Sequence, residues 1–266
     1  MRKLLIFHLL LLCFSCNNSP NNIQEVEQAT FDKKISADSI KLLFNYYLGA
    51  REDFFPSSQI YEFGKLNPVD QAVIDTSFFI FREKLLEAVQ KKDIFFLLDH
   101  TNEHIFCSFD GSNTLEEFVE LWDLASEESA TQSKLWVELE KVLRLGGTFD
   151  KADQTFSANY IFSTFPEQYD PYDYAAIVGS GVRLRSAPNL QSKIIKTVSY
   201  NIVKVLDWDG PEEKIGGEVY NWAKIALLDD TEAYVYGKYL ISPIDYRAGF
   251  KQKSGKWEMT FFVAGD

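Results

Sequence analysis

The sequence predicts two structural parts: an α+β N-terminal domain, mainly helical and completed by a C-terminal β-hairpin, and a small all-β barrel. Three observations carry that reading. Between Ser36 and Gly147 apolar residues recur every three or four positions, the period of helices with one buried face. Between Val182 and Leu240 short runs alternate apolar and polar residues and are separated by turn residues. From Tyr246 to Val263 two alternating runs flank Lys253-Ser254-Gly255-Lys256, a hairpin signal. At 266 residues and 46% hydrophobic, the chain is long and apolar enough for two domains.

The first segment is an address. Met1-Arg2-Lys3 is a short positive start, and Leu4 to Phe14 is an apolar run interrupted only by His8. Such a run is too short for a bilayer core that needs about 20 residues, and it fits the apolar region of a signal peptide. It ends at Phe14-Ser15-Cys16, followed by the polar Asn17-Asn18-Ser19-Pro20. A small residue before a cysteine, then a polar stretch, resembles a bacterial lipoprotein signal. The resemblance implies cleavage after residue 15 and acylation of Cys16. It departs from the usual pattern at Cys13, where Leu is common. Ordinary secretion with cleavage nearby is the alternative. Residues 16–34 lack any period and read as a flexible tether.

Helices dominate the expected domain at 35–172. Ser36 or Asp38 can cap a helix bearing Ile40, Leu43, Phe44, Tyr47 and Leu48. Asn67-Pro68 reads as a helix start, with Asn as cap and Pro at the first helical position. Val73, Ile74, Phe78, Phe81, Leu85, Leu86 and Val89 then form one stripe. Asn113 or Thr114 with Glu116 or Glu117 reads as a capping box before Leu115, Phe118, Val119 and Trp122. Leu135, Trp136, Leu139 and Val142 mark a further helix, ended by Gly146-Gly147. Thr155 to Thr164 alternates loosely and reads as strand, and Pro166 to Asp173 as an acidic link.

The barrel is expected at 174–243. Val182 and Leu184 alternate with Arg183 and Arg185, and Pro188 forces a turn by fixing φ and removing a donor. Lys193 to Tyr200, Ile202 to Asp207, Asn221 to Ile225 and Ala233 to Val235 follow as strand-like runs, closed by Gly237-Lys-Tyr-Leu240. Val182, Leu184, Arg185, Ser186, Pro188, Trp222, Lys224, Ile225, Tyr234, Val235, Tyr239 and Leu240 together resemble the bacterial SH3-like (SH3b) domain. Arg183 stands where that family has Asn, and Ala233-Tyr234 replaces Gly-Trp. The resemblance covers about a quarter of the chain. It implies binding, at the cell wall or to a peptide, rather than catalysis; a barrel kept as a structural spacer is the alternative.

A lone hairpin is marginal in water, so residues 244–266 must pair with something. Their aromatic, Gly-Lys-Trp ending loosely resembles the last hairpin of domains of the nuclear transport factor 2-like superfamily. That resemblance implies a barrel inserted between the helices and the hairpin of one α+β domain.

Charge narrows the partners. Removing residues 1–15 takes away Arg2 and Lys3, leaving 25 basic against 39 acidic residues, a formal charge of −14. An acidic surface repels nucleic acid, which is therefore excluded as a partner. With Cys16 acylated, Cys107 has no intramolecular partner, so no disulfide scaffold forms.

Candidate chemistry is sparse. His100 and His104 would share a helix face, with Cys107 or Asp110 as a third zinc ligand. The segment leads straight into Ile105-Phe106 and a turn, so exposed or capping histidines are the preferred reading. No histidine follows His104, so the Cys-then-His order of wall peptidases is missing. A serine elbow is missing as well. Acidic pairs such as Asp229-Asp230 and Glu212-Glu213 read as solvated turns. No catalytic residue, metal or cofactor is expected. Aromatic side chains line the grooves of SH3-like domains, which selects Trp208, Tyr220, Tyr234 and Tyr200 as ligand-binding candidates and leaves Trp222 to the core. The chain reads as a membrane-anchored, periplasm-facing envelope lipoprotein that binds peptidoglycan or an envelope protein. The alternative is an enzyme with its site in a pocket of the α+β domain.

Overall fold

A computed structural model describes residues 37–51, 55–150 and 152–265. Cys16, the signal peptide, the tether and the cap residue Ser36 lie outside the described residues. The first described element is helix α1 (Ala37–Ala50). Helices α2 (Thr76–Lys91), α3 (Ile94–Asp99), α4 (Leu115–Leu121), α5 (Glu127–Gln132), α6 (Leu135–Arg144) and α7 (Tyr160–Thr164) follow, and the described residues also hold thirteen strands, ten of them after α7. No helix among the described residues is long and apolar enough to cross a membrane.

Helix α2 starts later than the sequence predicts. Its cap is Asp75, whose carboxylate accepts from the Ser77 and Phe78 amides at 2.8 and 2.9 Å. Pro68 instead lies in an extended segment, because Val69 and Leu66 are drawn into the core and Asp70 bridges in parallel to Gly147. Residues 72–74 form a single 3-10 turn that leaves Ile74 exposed. Thr114 caps α4 by accepting from the Glu117 amide, and Glu117 reaches back to the Asn113 amide, one residue before the cap. The expected strand at 155–164 is cut to three residues: Asn159 accepts from the Phe162 amide and starts α7.

Strands β1 (Thr101–Phe106), β2 (Gly147–Phe149), β3 (Phe156–Ala158), β12 (Arg247–Lys253) and β13 (Lys256–Val263) form a five-stranded sheet in the order β1-β13-β12-β3-β2. The tail hairpin β12–β13 thus pairs on both sides with strands that precede the SH3-like segment. Ser254 and Gly255, both at positive φ, make its two-residue turn, which suits the right-handed twist of the strands. Helix α2 packs across this sheet through Phe78. Its ring lies 4.2 Å from Phe156, 4.9 Å from Trp257, 5.4 Å from Phe149 and 5.7 Å from Phe250. The Trp257 indole also donates to Ser77 Oγ at 3.0 Å, which ties β13 to the capped start of α2.

Strands β4 (Tyr174–Ile177), β5 (Val182–Arg185), β6 (Ile194–Val198), β7 (Ile202–Asp207), β8 (Glu212–Ile215), β9 (Glu218–Ala226), β10 (Glu232–Tyr236) and β11 (Leu240–Ile241) form the second sheet. Their order is β11-β4-β7-β9-β10-β5-β6, with β8 attached to β9. No pairing among the described residues joins the two ends, so the sheet is an open path rather than a ring of paired strands. It still coils on itself: Ile177 and Leu240 from one end share a buried cluster with Val182, Leu184 and Val198 from the other.

The two sheets meet at residues 64–71. The Leu66 amide donates to Tyr200 O at 2.7 Å, and the Ile202 amide to Gly64 O at 2.9 Å. Farther along, the Gln71 amide donates to Gly147 O at 2.8 Å and the Gly147 amide to Val69 O at 3.1 Å, which ties the segment to β2 of the first sheet. Leu66 and Val69 share a buried cluster with Tyr160, Ile161, Ala176, Ile202 and Ile241. Asp70 fixes this segment to α2. Its carboxylate accepts from Arg82 Nη1 at 2.7 and 2.9 Å, Arg51 Nη1 at 2.8 Å and the Ala72 amide at 3.1 Å. Burial pushes the Asp70 pKa up, but the charges and hydrogen bonds of Arg82 and Arg51 outweigh it, and the net result lies below the ordinary 3.8. A folded-state pKa below the unfolded one stabilises the fold above the unfolded value, and that stability is lost as pH falls through the folded pKa. Asp70→Asn, which leaves the buried Arg82 and Arg51 sharing Glu83 alone, is expected to cost about 3–5 kcal/mol in urea melts. It should also flatten the acid limb of stability below pH 4. A variant melt that matches the parent at pH 7 contradicts this assignment.

Candidate functional site

A cleft of about 490 Å³ opens on the second sheet. One wall is the start of β5, with Arg183 and Arg185; another is the β8–β9 arm, with Ile215 and Glu218; Trp222, Tyr236 and Tyr239 supply the aromatic surface. Its size falls within the range of small-ligand sites.

The arm needs support, because β8 pairs only with β9 and an isolated hairpin is marginal. Tyr236 supplies it. Its hydroxyl lies 2.9 Å from both the Glu213 and Glu218 carbonyls and shares its one proton between them, near the turn end of the arm. The Glu213 carboxylate accepts from the Trp222 indole at 2.7 Å and from the Leu190 amide at 2.9 Å, which joins the arm to the loop after β5. Lys238 pairs with Glu218 across the opening. Trp222 is 1% exposed, so it is a core residue whose indole edge holds the cleft wall.

The cations of the cleft are unevenly satisfied. Glu218 is taken by Lys238. Arg185 is 7% exposed, yet Nη1 donates only to the Ser192 carbonyl at 2.7 Å. Neither Arg183 nor Arg185 makes a salt bridge among the described residues. Arg183 is exposed on β5 and lines the cleft.

The four aromatics chosen from sequence do not converge. Trp208 follows β7 and is 42% exposed. Tyr220 lies on β9 with its ring 5.5 Å from that of Tyr236, beside the cleft. Tyr234 pairs across the sheet with Arg185 and Lys224. Tyr200 adopts a positive φ at the junction with residues 64–66. None of the four lines the cleft; Trp222, Tyr236 and Tyr239 do. Tyr239 carries a sequence signal as part of the closing Tyr-Leu, whereas Tyr236 follows the inward Val235 and strand alternation alone would place it outward.

Elsewhere, Cys107 is buried and its thiol is pushed up by desolvation and the nearby Glu117, which keeps it protonated and inert. His100 caps α3 and stacks on Phe96 at 4.2 Å, while His104 sits exposed on β1, so the two share no helix face. Among the described residues no group of three or more His, Cys, Asp or Glu could hold a metal ion. A second hollow, of about 440 Å³, lies between α4, α5 and α6 and is lined by Trp122, Ser129, Gln132 and Lys134.

A family model described as bacterial SH3 domain matches residues 180–241. A bacterial SH3 domain is therefore present, and every residue lining the cleft falls inside it. No curated protein and no solved structure matches the chain. Tyr236→Phe removes the hydroxyl that fixes the arm and is expected to cost about 1–3 kcal/mol. The loss should be local, so amides of residues 212–219 are expected to exchange faster while those of β7 keep their protection. Unchanged exchange in the arm would rule out the clamp.

Proposed function

We propose that the protein is an envelope lipoprotein, anchored through Cys16 and facing the periplasm, whose SH3 domain binds peptidoglycan or an envelope protein. The observation that carries this reading is the cleft, which lies wholly inside the bacterial SH3 segment and has a braced aromatic wall. The segments flanking the domain form one α+β unit in this reading. Their partnership in the five-stranded sheet, strands β1 to β3 with the tail hairpin, supports insertion of the SH3 domain at about 174–243. The looser resemblance to the nuclear transport factor 2-like superfamily rests on that hairpin.

Two measurements test the proposal. Cys16→Ser, which removes the acyl acceptor, is expected to move the protein from the membrane to the soluble fraction. Mutant protein that still sediments with membranes in high salt refutes the anchor. The purified protein is expected to sediment with purified peptidoglycan sacculi or to capture a defined envelope protein; failure of both removes the binding role.

A further inference from the structure

Resting on that reading, we propose that the SH3 cleft is a carboxylate site, built to take an extended peptide by a free carboxylate on Arg185 and Arg183. Arg185 has no acidic counter-ion among the described residues. A guanidinium offers five donors and remains charged at any physiological pH. A charge removed from water needs a partner, and buried arginines are ordinarily paired. Arg82 in the same chain shows that pattern, with Asp70 and Glu83 against it. Arg185 is nearly as enclosed, but it has one bond to a carbonyl and no carboxylate among the described residues.

The neighbouring acids are committed elsewhere. Glu218 faces Lys238, and the Glu213 carboxylate is held by the Trp222 indole and the Leu190 amide. Two guanidiniums, two residues apart on β5, therefore face the cleft with no acid of their own. Residues 183 and 185 both line the cleft. Their planar forks match the geometry of a carboxylate, which each can hold by two parallel bonds. Tyr239, 38% exposed, and the Ile215 side chain provide apolar surface beside them for the rest of an extended chain.

Calorimetry on the purified protein tests this with three short peptides: one ending in D-Ala-D-Ala as the free acid, its C-terminal carboxamide, and the free acid ending in L-Ala-L-Ala. At least one acid is expected to bind ten-fold or more tighter than the amide. The preferred stereochemistry then tells a wall peptide from a protein C-terminus. Arg183→Gln, an exposed change that leaves the fold intact, is expected to reduce the acid preference several-fold, and Arg185→Gln to abolish it. Arg185→Lys keeps the charge without the fork and is expected to fall between, with an unchanged circular dichroism melt as the folding control. Equal binding of acid and amide overturns the inference, as does an acid preference that survives both Gln substitutions, or no binding of any peptide at millimolar concentration. Each of these leaves the binding role standing if sacculi or an envelope protein are still captured. Acid preference without such capture would uphold the carboxylate site and remove the proposed role.

Discussion

The Asp70 carboxylate is the constraint on which the arrangement of the two sheets depends. It is 1% exposed and accepts from three donors: Arg82 Nη1, Arg51 Nη1 and its own chain at the Ala72 amide. Glu83 faces both arginines, at 3.1 Å from Arg82 and 3.9 Å from Arg51, so two acids and two bases close a neutral set. Taking such charges out of water is costly, and Arg82 Nε has no hydrogen-bond partner among the described residues, so the cluster is not an obvious source of net stability. What it supplies is position. An apolar substitute at residue 70 could pack, but it could not fix the segment at one register against both α2 and Gly147.

Position matters because residues 64–71 are a shared strap. At one end they extend the SH3 sheet beside Tyr200 and Ile202; at the other they bond to β2. Leu66 and Val69 between those ends fill the cluster that also takes Ile202 and Ile241 from the SH3 sheet and Tyr160 and Ile161 from α7. The back of the SH3 sheet is thereby covered by the same chain that the Asp70 set holds, while its cleft side remains open. On the open side the Tyr236 hydroxyl and the Glu213 carboxylate brace the β8–β9 arm. Burial behind and hydrogen bonding in front give the cleft rigid walls, which lowers the ordering cost that a ligand must overcome.

Much of this was legible in the sequence where local rules and tertiary needs agree. Val182 to Pro188 alternates and turns as written, and Trp257 meets Phe78 because both belong to strong apolar patterns. The reading failed where a tertiary demand overrode a local signal. Asn67-Pro68 has the chemistry of a helix start, but the strap needs extended backbone there. Phe156 to Phe162 alternates, yet Asn159 caps a helix because its amide also donates to Tyr246 O across the sheet at 3.0 Å. The cleft was harder still. Exposed aromatics such as Trp208 are legible in the sequence, whereas the aromatics lining the cleft are Trp222, Tyr236 and Tyr239, two of them buried. Arg185 was assigned to a family pattern; its missing counter-ion is a fact of three dimensions that no spacing reveals.

The overall charge and the cleft charge pull in opposite directions, and the balance decides how such a site works. The chain carries −12 in total, which repels an approaching anion. Beyond about 8 Å in physiological salt that repulsion is largely screened, whereas two guanidiniums partly removed from water are screened far less. An anionic group therefore gains little from the protein at a distance and much on contact. Recognition of this kind does not steer encounter. It acts through dissociation, as bidentate bonds inside a braced cleft must break before the ligand leaves.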